Sequence, residues 1–349
     1  MSSFYKLSIK EVRRETPSTV SVAFTIPLEF QDFYKFTAGQ YVTLKLTLDG
    51  EEIRRAYSIC SSPNSGELRV AIKAVPNGKF SQFANKQLQA GHVLDVSVPE
   101  GKFIFEPKDK QRSIALFAAG SGITPILSIA KSVLEDESNS TVLLVYGNKS
   151  VEETIFHQEI QDLQQKYMGR LIVEYAFTAK PTSDSYFGRI DKSIVNNVLF
   201  NKHNEITFDK FYVCGPEEMI NTVSNTLKEH NVLEKDIKFE LFTTSSSSGK
   251  EIETGNGHTK IKVICDGDEQ EFEMSQKQTV LEAALKQGID VPYSCQGGVC
   301  SSCICRVTEG KAEMKKNQIL TDSEIEEGLI LSCQAIPTTT SMTVDFDDI

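Results

Sequence analysis

Short runs of alternating apolar and polar residues dominate the first 108 positions of the chain. Residues 20–26 and 41–48 are rich in β-branched and aromatic side chains, as expected of strands with one buried face. Glycine and proline interrupt such runs at short intervals. This rhythm predicts an antiparallel β-barrel over residues 1–108, with one short helix at 80–88.

Continuous apolar runs replace the alternation after Pro107. Residues 113–119 and 141–146 are apolar at nearly every position, which is typical of strands buried on both faces. Helical spacing follows at 126–134, 151–166 and 217–230, and further strands are expected at 171–177 and 210–213. The alternation of strands and helices predicts a doubly wound α/β domain with a parallel sheet over residues 109–243.

The pattern changes again near residue 243. Residues 243–257 include four consecutive serines and almost no apolar side chains, so we expect a flexible linker at 244–258. Beyond it, hairpin strands are expected near 261–263 and 271–272. Thr279 and Glu282 have capping-box spacing, which predicts a helix at 280–286 that Gly288 ends. Residues 259–349 are therefore expected to form a third domain.

Three cysteines of this third domain share one loop. Cys295, Cys300 and Cys303 are spaced C-x4-C-x2-C, and Cys333 follows further along the chain. This three-plus-one spacing is that of plant-type ferredoxins, in which four thiolates hold a [2Fe–2S] cluster. The residues between them are mostly Gly and Ser, which let backbone N–H groups turn towards anionic sulfur atoms.

Two other interpretations of the cysteines remain open. The four thiols could hold zinc in a structural or binding protein without enzyme activity, although zinc sites usually show two well-separated pairs of ligands. Inert buried thiols are the third possibility. Cys305 adds a C-x-C pattern that four-thiolate ligation does not need. We expect it to be a packed strand residue, with ligand exchange at Cys303 as the alternative.

Length and charge restrict the classes of function. A chain of 349 residues suits two or three domains, and it has no apolar run of about 18 residues, so no membrane insertion is expected. Eight cysteines without a signal-peptide pattern indicate a reducing cytoplasm. From His258 onward there are 16 acidic and 8 basic residues. Nucleic acid is therefore not an expected partner. The acidic residues could meet a basic docking face on a protein partner, or they could serve solubility alone.

Two motifs of the first domain contain candidate binding residues. Arg55, Tyr57 and Ser58 lie in the segment RAYS, which offers a cation, an aromatic ring and a hydroxyl. Further along, the segment GKFS contains Gly78, Lys79 and Ser81. It joins a tight turn to the start of a helix, where free backbone N–H groups bind phosphate.

The second domain has two strand-to-helix junctions of the same kind. In GSGITP, Gly120 and Gly122 allow close approach of a ligand, Thr124 is expected to cap the helix, and Pro125 suits its first position. A later strand ends in the segment CGPEEM, and the domain closes with ELF. The candidate residues in these two segments are Cys214, Gly215, Pro216, Glu240 and Phe242.

Taken together, RAYS, GKFS, GSGITP, CGPEEM and the cysteine loop resemble the ferredoxin–NADP reductase superfamily. The third domain, with CQGGVCSSC followed by RVTEGKAEM and LSCQA, is most similar to reductase subunits of the phenylacetyl-CoA epoxidase type, which end in a plant-type ferredoxin domain. The resemblance implies an FAD-binding barrel at 1–108, an NAD(P)-binding domain at 109–243, and a β-grasp ferredoxin at 259–349.

The same resemblance implies roles for the flavin-binding candidates. Arg55 would pair with a flavin phosphate, Tyr57 would lie against the isoalloxazine ring, and Ser58 would bond near its N5. The turn residues Gly78, Lys79 and Ser81 would hold the pyrophosphate.

For the nicotinamide half, Thr124 would stand between flavin and nicotinamide, and Cys214 would approach the carbon that carries the hydride. Glu240 would border the hydride-transfer site, and Phe242 would cover the flavin. The glycine and proline positions Gly120, Gly122, Pro125, Gly215 and Pro216 would bind the nucleotide.

The implied function is electron transfer from NAD(P)H through FAD and the [2Fe–2S] cluster to an oxygenase component of the di-iron or Rieske type. A fatty-acyl desaturase or a ring-hydroxylating dioxygenase is the alternative acceptor. NADPH is favoured over NADH, because Lys149 and Lys180 follow predicted strands where a cation could meet the 2′-phosphate.

Overall fold

The alternating pattern of the first domain produces a six-stranded antiparallel sheet in the computed structural model, which describes residues 4–242 and 257–349. Its order is β4-β3-β6-β1-β2-β5. The elements are β1 (Phe4–Thr16), β2 (Thr19–Thr25), β3 (Tyr41–Leu48), β4 (Glu51–Ser58), β5 (Leu68–Lys73), α1 (Lys79–Gln87) and β6 (Val93–Ser97). A bridge between Ile59 and Val70 joins the two outer strands, so the sheet closes into the predicted barrel.

The second domain contains a six-stranded parallel sheet of order β10-β9-β8-β7-β11-β12. Its strands are β7 (Ser113–Ala119), β8 (Thr141–Asn148), β9 (Leu171–Phe177), β10 (Tyr186–Phe187), β11 (Lys210–Gly215) and β12 (Ile237–Leu241). Its helices are α2 (Ile123–Asp136), α3 (His157–Lys166), α4 (Lys192–Asn196) and α5 (Glu217–Glu229). The strand order reverses between β7 and β11, and ligands of open α/β sheets bind at such switch points.

Two predicted helix starts in this domain were wrong. Helix α2 begins at Ile123, directly after a 3-10 turn at Gly120–Gly122, and not at residue 126. The segment expected to be helical from residue 151 has a 3-10 turn at Val151–Glu153, and α3 begins only at His157. Phe156 has a left-handed φ of 61°, which interrupts the helix although the apolar spacing continues through it.

The third domain has a mixed five-stranded sheet of order β14-β13-β19-β15-β17 and a two-stranded sheet of β16 and β18. Its elements are β13 (His258–Cys265), β14 (Asp268–Ser275), α6 (Val280–Lys286), β15 (Ile304–Glu309), β16 (Ala312–Met314), α7 (Asp322–Glu326), β17 (Leu329–Leu331), β18 (Ala335–Pro337) and β19 (Ser341–Asp345). The predicted capping box of Thr279 and Glu282 is present at the start of α6. This mixed sheet with its packed helix agrees with the expected β-grasp fold.

By compactness the chain divides into two units. One comprises 5–53 and 57–242, and the other comprises Phe4, 54–56 and 257–349. The predicted linker, 244–258, lies outside the described residues except for Gly257 and His258, and His258 is the first residue of β13. The domain boundaries stay predictions. Among the helices of 4–242 and 257–349, none is long and apolar enough to cross a bilayer.

A buried ion pair stabilises the start of the parallel sheet. Arg112 and Glu137 form a salt bridge with side chains 4% and 1% exposed. Glu137 also accepts hydrogen bonds from Ser140 Oγ at 2.7 Å and from the Lys108 backbone N at 2.8 Å. Burial alone would raise the pKa of Glu137, but the contact with Arg112 and the hydrogen bonds from Ser140 and Lys108 outweigh it and hold the pKa below its usual value.

We predict that Glu137→Gln lowers the free energy of unfolding by about 3–5 kcal/mol, because it leaves Arg112 buried without a counter-charge. Urea unfolding followed by circular dichroism measures the change. The matched control is Glu229→Gln, which removes the exposed pair with Lys192 and should cost less than about 1 kcal/mol. Equal losses of unfolding free energy in Glu137→Gln and Glu229→Gln would contradict the stabilising role assigned to the buried ion pair.

Candidate functional site

The cysteine loop is shaped by two residues in left-handed backbone conformations. Gln296 has φ 51° and Gly298 has φ 72°. A Cβ atom on Gly298 would lie 3.0 Å from Gln334 Cγ and 3.1 Å from Lys316 O, so the position requires glycine for both conformation and space. The loop therefore turns back on itself between its first two cysteines.

The four predicted ligands come together as two pairs. The thiol of Cys295 is within hydrogen-bonding reach of Cys300, and that of Cys303 is within reach of Cys333. Cys300, Cys303 and Cys333 are buried, whereas Cys295 is half-buried. Each of the four lies beside a partner from the loop or from the segment after β17.

Hydrogen bonds favour the thiolate at one member of each pair. Contact with the Cys300 thiol lowers the pKa of Cys295, and backbone N–H groups add to this, including that of Gly297 at 3.3 Å from the sulfur. Contact with the Cys303 thiol lowers the pKa of Cys333, and the backbone N–H of Gly298 contributes. Thiolates are the form in which cysteine binds metal.

Two separated pairs fit two metal ions better than one. A tetrahedral zinc ion with bonds of about 2.3 Å would bring all four sulfur atoms within about 4 Å of one another. Among the described residues, Cys265, Asp266 and Asp347 form a group whose potential metal-ligand atoms all lie within 4.8 Å of one another. The four cysteines do not form such a group. Their arrangement fits a binuclear [2Fe–2S] cluster, which these four thiols would hold.

Cys305 is separate from this arrangement. It is fully buried on β15, opposite Ile330 of β17, and packs in the core of the third domain. Burial raises the pKa of its thiol, which disfavours the thiolate. These contacts support the interpretation of Cys305 as a packed strand residue.

The flavin candidates of RAYS lie at the end of β4. Arg55 is exposed, and its Nη1 donates to the Arg54 carbonyl at 2.6 Å. Tyr57 is half-buried, with its ring centroid 5.7 Å from that of Phe80. Ser58 is buried, and its Oγ donates to Glu240 Oε2 at 3.2 Å. An exposed cation, a ring and a buried hydroxyl thus follow one another along a single strand.

The GKFS segment forms the predicted turn and helix start. Gly78 is the N-cap of α1, and a Cβ there would lie 2.5 Å from both Ser81 Oγ and Val75 Cγ2. Ser81 Oγ accepts from the Val75 N–H and donates to the Gly78 carbonyl, each at 3.2 Å. Lys79 forms an ion pair with Glu51. The Ser81 hydroxyl therefore holds the turn together.

The two glycine junctions of the parallel sheet touch each other. A Cβ on Gly122 would lie 2.2 Å from the Cys214 carbonyl oxygen, and one on Gly215 would lie 2.6 Å from Met219 Cε. Gly120 has a left-handed φ of 55°. Only residues without side chains allow the turn after β7 to pack this closely against the end of β11.

The predicted cap of α2 was wrong. Gly122 is the N-cap and makes no side-chain bond, while Thr124 Oγ1 donates to the Ser121 carbonyl at 3.1 Å. Pro125 is the third helical residue and not the first. The hydroxyl of Thr124 points back into the turn because the helix begins earlier than the sequence pattern indicated.

Cys214 and Glu240 lie side by side on paired strands. They are register partners of β11 and β12. Cys214 is fully buried, and burial together with the charge of Glu240 raises the pKa of its thiol. Burial also raises the pKa of Glu240 to about 8, against the opposing hydrogen bond from Ser58. Ser58, Cys214 and Glu240 thus lie together, and burial disfavours the charged forms of the thiol and the carboxyl. Phe242 follows β12 and packs against the hydrophobic core.

A cavity of about 400 Å³ opens at the carboxyl ends of the parallel strands. Two of the predicted nucleotide-binding residues, Gly120 and Pro216, line it. Lys149 also lines it, whereas Lys180 does not and lies 4.0 Å from Glu152. Sequence reasoning missed most of the other lining residues, among them Lys73, Asn148 and Arg189. Lys73 comes from β5 of the barrel, and no local motif marks it.

Three family models match successive parts of the chain. An oxidoreductase FAD-binding domain matches residues 6–105, an oxidoreductase NAD-binding domain matches 116–225, and a 2Fe-2S iron-sulfur cluster binding domain matches 263–338. The last range contains all four paired cysteines. The zinc interpretation is therefore not supported, and the cofactors are FAD, a [2Fe–2S] cluster and a nicotinamide nucleotide as co-substrate.

Solved structures share this architecture over almost the whole chain. Phthalate dioxygenase reductase is 23% identical, with a TM-score of 0.62 and coverage of 98% of both chains. An intact type IV self-sufficient cytochrome P450 monooxygenase is 18% identical, with a TM-score of 0.71 over 98% of this chain and 41% of that chain. At these identities the similarity establishes the fold.

Curated relatives match over the full length. The E subunit of 1,2-phenylacetyl-CoA epoxidase from Escherichia coli is 38% identical over 351 residues, covering 99% of each protein. The ferredoxin reductase component of 3-ketosteroid-9-alpha-monooxygenase from Rhodococcus rhodochrous is 33% identical, covering 97% of this chain and 96% of that protein. The chain therefore belongs to the family of NAD(P)H-dependent flavin and iron–sulfur oxidoreductases that includes this phenylacetyl-CoA epoxidase component, within the ferredoxin–NADP reductase superfamily.

Proposed function

We propose that this protein is the reductase component of a multicomponent oxygenase of the phenylacetyl-CoA epoxidase type. The observation that carries the proposal is that one chain combines three features. They are the cavity at the carboxyl ends of the parallel strands, the hydrogen bond from Ser58 of β4 to Glu240 of β12, and the two pairs of cysteine thiols. The full-length similarity to the phenylacetyl-CoA epoxidase component supports this acceptor over a fatty-acyl desaturase or a ring-hydroxylating dioxygenase.

When bound, FAD would take a hydride from NAD(P)H and release electrons one at a time to the [2Fe–2S] cluster. Thr124, Cys214 and Glu240 are the residues we assign to the hydride-transfer site. Cys214 and Thr124 are buried at the two junctions that touch, so they fix where a nicotinamide ring can lie. Neutral Glu240 holds a proton beside Ser58 and keeps negative charge away from the flavin.

The remaining candidates bind the two nucleotides in this proposal. The exposed guanidinium of Arg55 can turn towards a phosphate, and Tyr57 and Ser58 face the ring system. The turn residues Gly78, Lys79 and Ser81 hold the pyrophosphate of FAD, while Phe242 covers its ring. The second set, Gly120, Gly122, Pro125, Gly215 and Pro216, binds NAD(P)H.

The acidic third domain would deliver electrons to the partner. Its excess of carboxylates suits a basic docking face on the oxygenase, whose acceptor we propose to be a di-iron or Rieske centre. We also propose a cytoplasmic location, because the four cluster thiols must stay reduced in order to bind iron.

Replacing Cys333 by serine should remove the cluster and abolish NAD(P)H-driven cytochrome c reduction, while the flavin is still reduced by NAD(P)H. The physical reason is that the second iron loses one of its two thiolates. Iron content and visible absorbance measure the cluster. Cys305→Ser is the matched control and should keep both cluster and activity. Full cytochrome c reduction in the Cys333 variant would show that electrons bypass the cluster.

The rate of flavin reduction should fall as pH rises through about 8, where Glu240 loses its proton. Below that pH the neutral carboxyl does not oppose electron density arriving on the flavin, whereas the carboxylate does. We expect a decrease of roughly tenfold, a barrier increase of about 1.4 kcal/mol. Anaerobic stopped-flow measurement at saturating NAD(P)H tests it. In Glu240→Gln the rate of flavin reduction should no longer depend on pH in this range. If that variant kept the pH dependence of the unaltered protein, Glu240 would be excluded as the titrating group.

NADPH should be used with a higher kcat/KM than NADH, because Lys149 lines the cavity where a 2′-phosphate would lie. Lys149→Ala should lower kcat/KM for NADPH by about tenfold and leave NADH nearly unchanged. Lys180→Ala is the matched control, since Lys180 is exposed and outside the cavity. Equal kcat/KM values for the two nucleotides in the unaltered protein would contradict the preference.

A further inference from the structure

One buried amide in the nucleotide cavity has an unused hydrogen-bond donor. Asn148 ends β8, lines the cavity, and is only 9% exposed. Its Nδ2 atom is buried and has no hydrogen-bond partner within residues 4–242 and 257–349. A buried donor without a partner is unfavourable, and such groups in native proteins are often satisfied by a ligand or water.

The backbone around Asn148 is fixed, so its side chain remains at the cavity. Asn148 pairs with Phe177 across β8 and β9, and its carbonyl accepts from the Thr178 N–H at 3.0 Å. Tyr146 lies two positions earlier on the same face of the strand, fully buried. The Tyr146 hydroxyl donates to the Gly120 carbonyl at 3.0 Å and so connects β8 to the glycine turn, the 3-10 turn Gly120–Gly122 after β7.

The Tyr146 hydroxyl is a polar neighbour of the amide, and it does not satisfy the donor. Burial raises the pKa of Tyr146, and the nearby Asn148 amide offsets part of that rise. The contact nevertheless lacks the geometry of a hydrogen bond at Nδ2. An oxygen atom of a ligand in the cavity would give this donor a properly aligned acceptor.

The position of Asn148 in the sheet separates it from the hydride-transfer site. Strand β7 lies between β8 and β11, so Asn148 is on the opposite side of the glycine turn from Cys214. The cavity there is lined by Lys149, Thr178 and Arg189. Lys149 and Arg189 are cations that can bind phosphate, and Arg189 also pairs with Glu218 at 2.9 Å. The neighbouring amide donor suits a phosphate or hydroxyl oxygen.

We propose that Asn148 is a further binding residue, which donates a hydrogen bond from Nδ2 to an oxygen of the adenosine diphosphate half of the pyridine dinucleotide. This inference rests on the proposed function, because it assumes that the cavity binds NAD(P)H. It assigns to Asn148 a contact remote from the nicotinamide, one that strengthens binding without touching the reacting atoms.

The test is the affinity of the purified holoprotein for ADP-ribose, measured by isothermal titration calorimetry. Asn148→Asp keeps the shape but replaces the donor with a carboxylate, and should weaken binding about tenfold. Asn148→Ala should also weaken it. The matched control Asn225→Asp adds the same charge at an exposed position of α5 and should change nothing. Nicotinamide mononucleotide should bind all four proteins equally.

FAD and iron content identify properly folded variants, and Asn148→Ala provides the comparison if the aspartate variant fails to fold. Unchanged or tighter binding of ADP-ribose by the Asn148 variants would overturn the inference and leave the proposed function standing. If the Asn148 variants bound nicotinamide mononucleotide more weakly but ADP-ribose normally, the contact would not lie on the adenosine half of the dinucleotide. Failure of the unaltered protein to bind ADP-ribose, NADP⁺ or NAD⁺ would overturn the proposed function as well.

Discussion

The close approach of two backbone segments at the centre of the parallel sheet positions the residues that we propose for hydride transfer. The turn after β7 packs so tightly on the end of β11 that a Cβ on Gly122 would overlap the Cys214 carbonyl oxygen. This contact fixes Cys214, and the pairing of β11 with β12 then places Glu240 beside it. Ser58, from the end of a barrel strand, completes the group by donating to Glu240. The proposed hydride-transfer site therefore depends on a close backbone contact that only glycine allows.

Backbone geometry has a comparable role at the other end of the electron path. A left-handed glycine turns the cysteine loop, and backbone N–H groups point at the sulfur atoms of Cys295 and Cys333. These hydrogen bonds favour thiolate over thiol and would also stabilise the negative charge of a cluster. Because the sulfur atoms meet in pairs, the same loop disfavours a single tetrahedral ion. Both redox sites thus depend on glycines more than on charged side chains.

Local patterns predicted much of this, and the limits of the prediction have physical causes. The capping box of Thr279 needs only neighbouring residues, and the structure reproduces it. The interruption at Phe156 was missed because a left-handed residue leaves the apolar spacing unchanged. The bond between Ser58 and Glu240 joins positions 182 residues apart, so only the fold reveals it. Lys73 and Asn148 reach the nucleotide cavity from two different sheets, and no contiguous motif contains them.

Within this one chain, electrons are expected to pass from NAD(P)H through flavin to a [2Fe–2S] cluster. Anaerobic addition of NADPH to the purified protein, followed by visible absorbance and electron paramagnetic resonance, tracks each step of that path. We expect about two irons and one FAD per chain, with flavin bleaching first and the signal of a reduced cluster appearing afterwards. Zinc in place of iron, or a reduced flavin beside a cluster that stays oxidised, would show that the path is wrong.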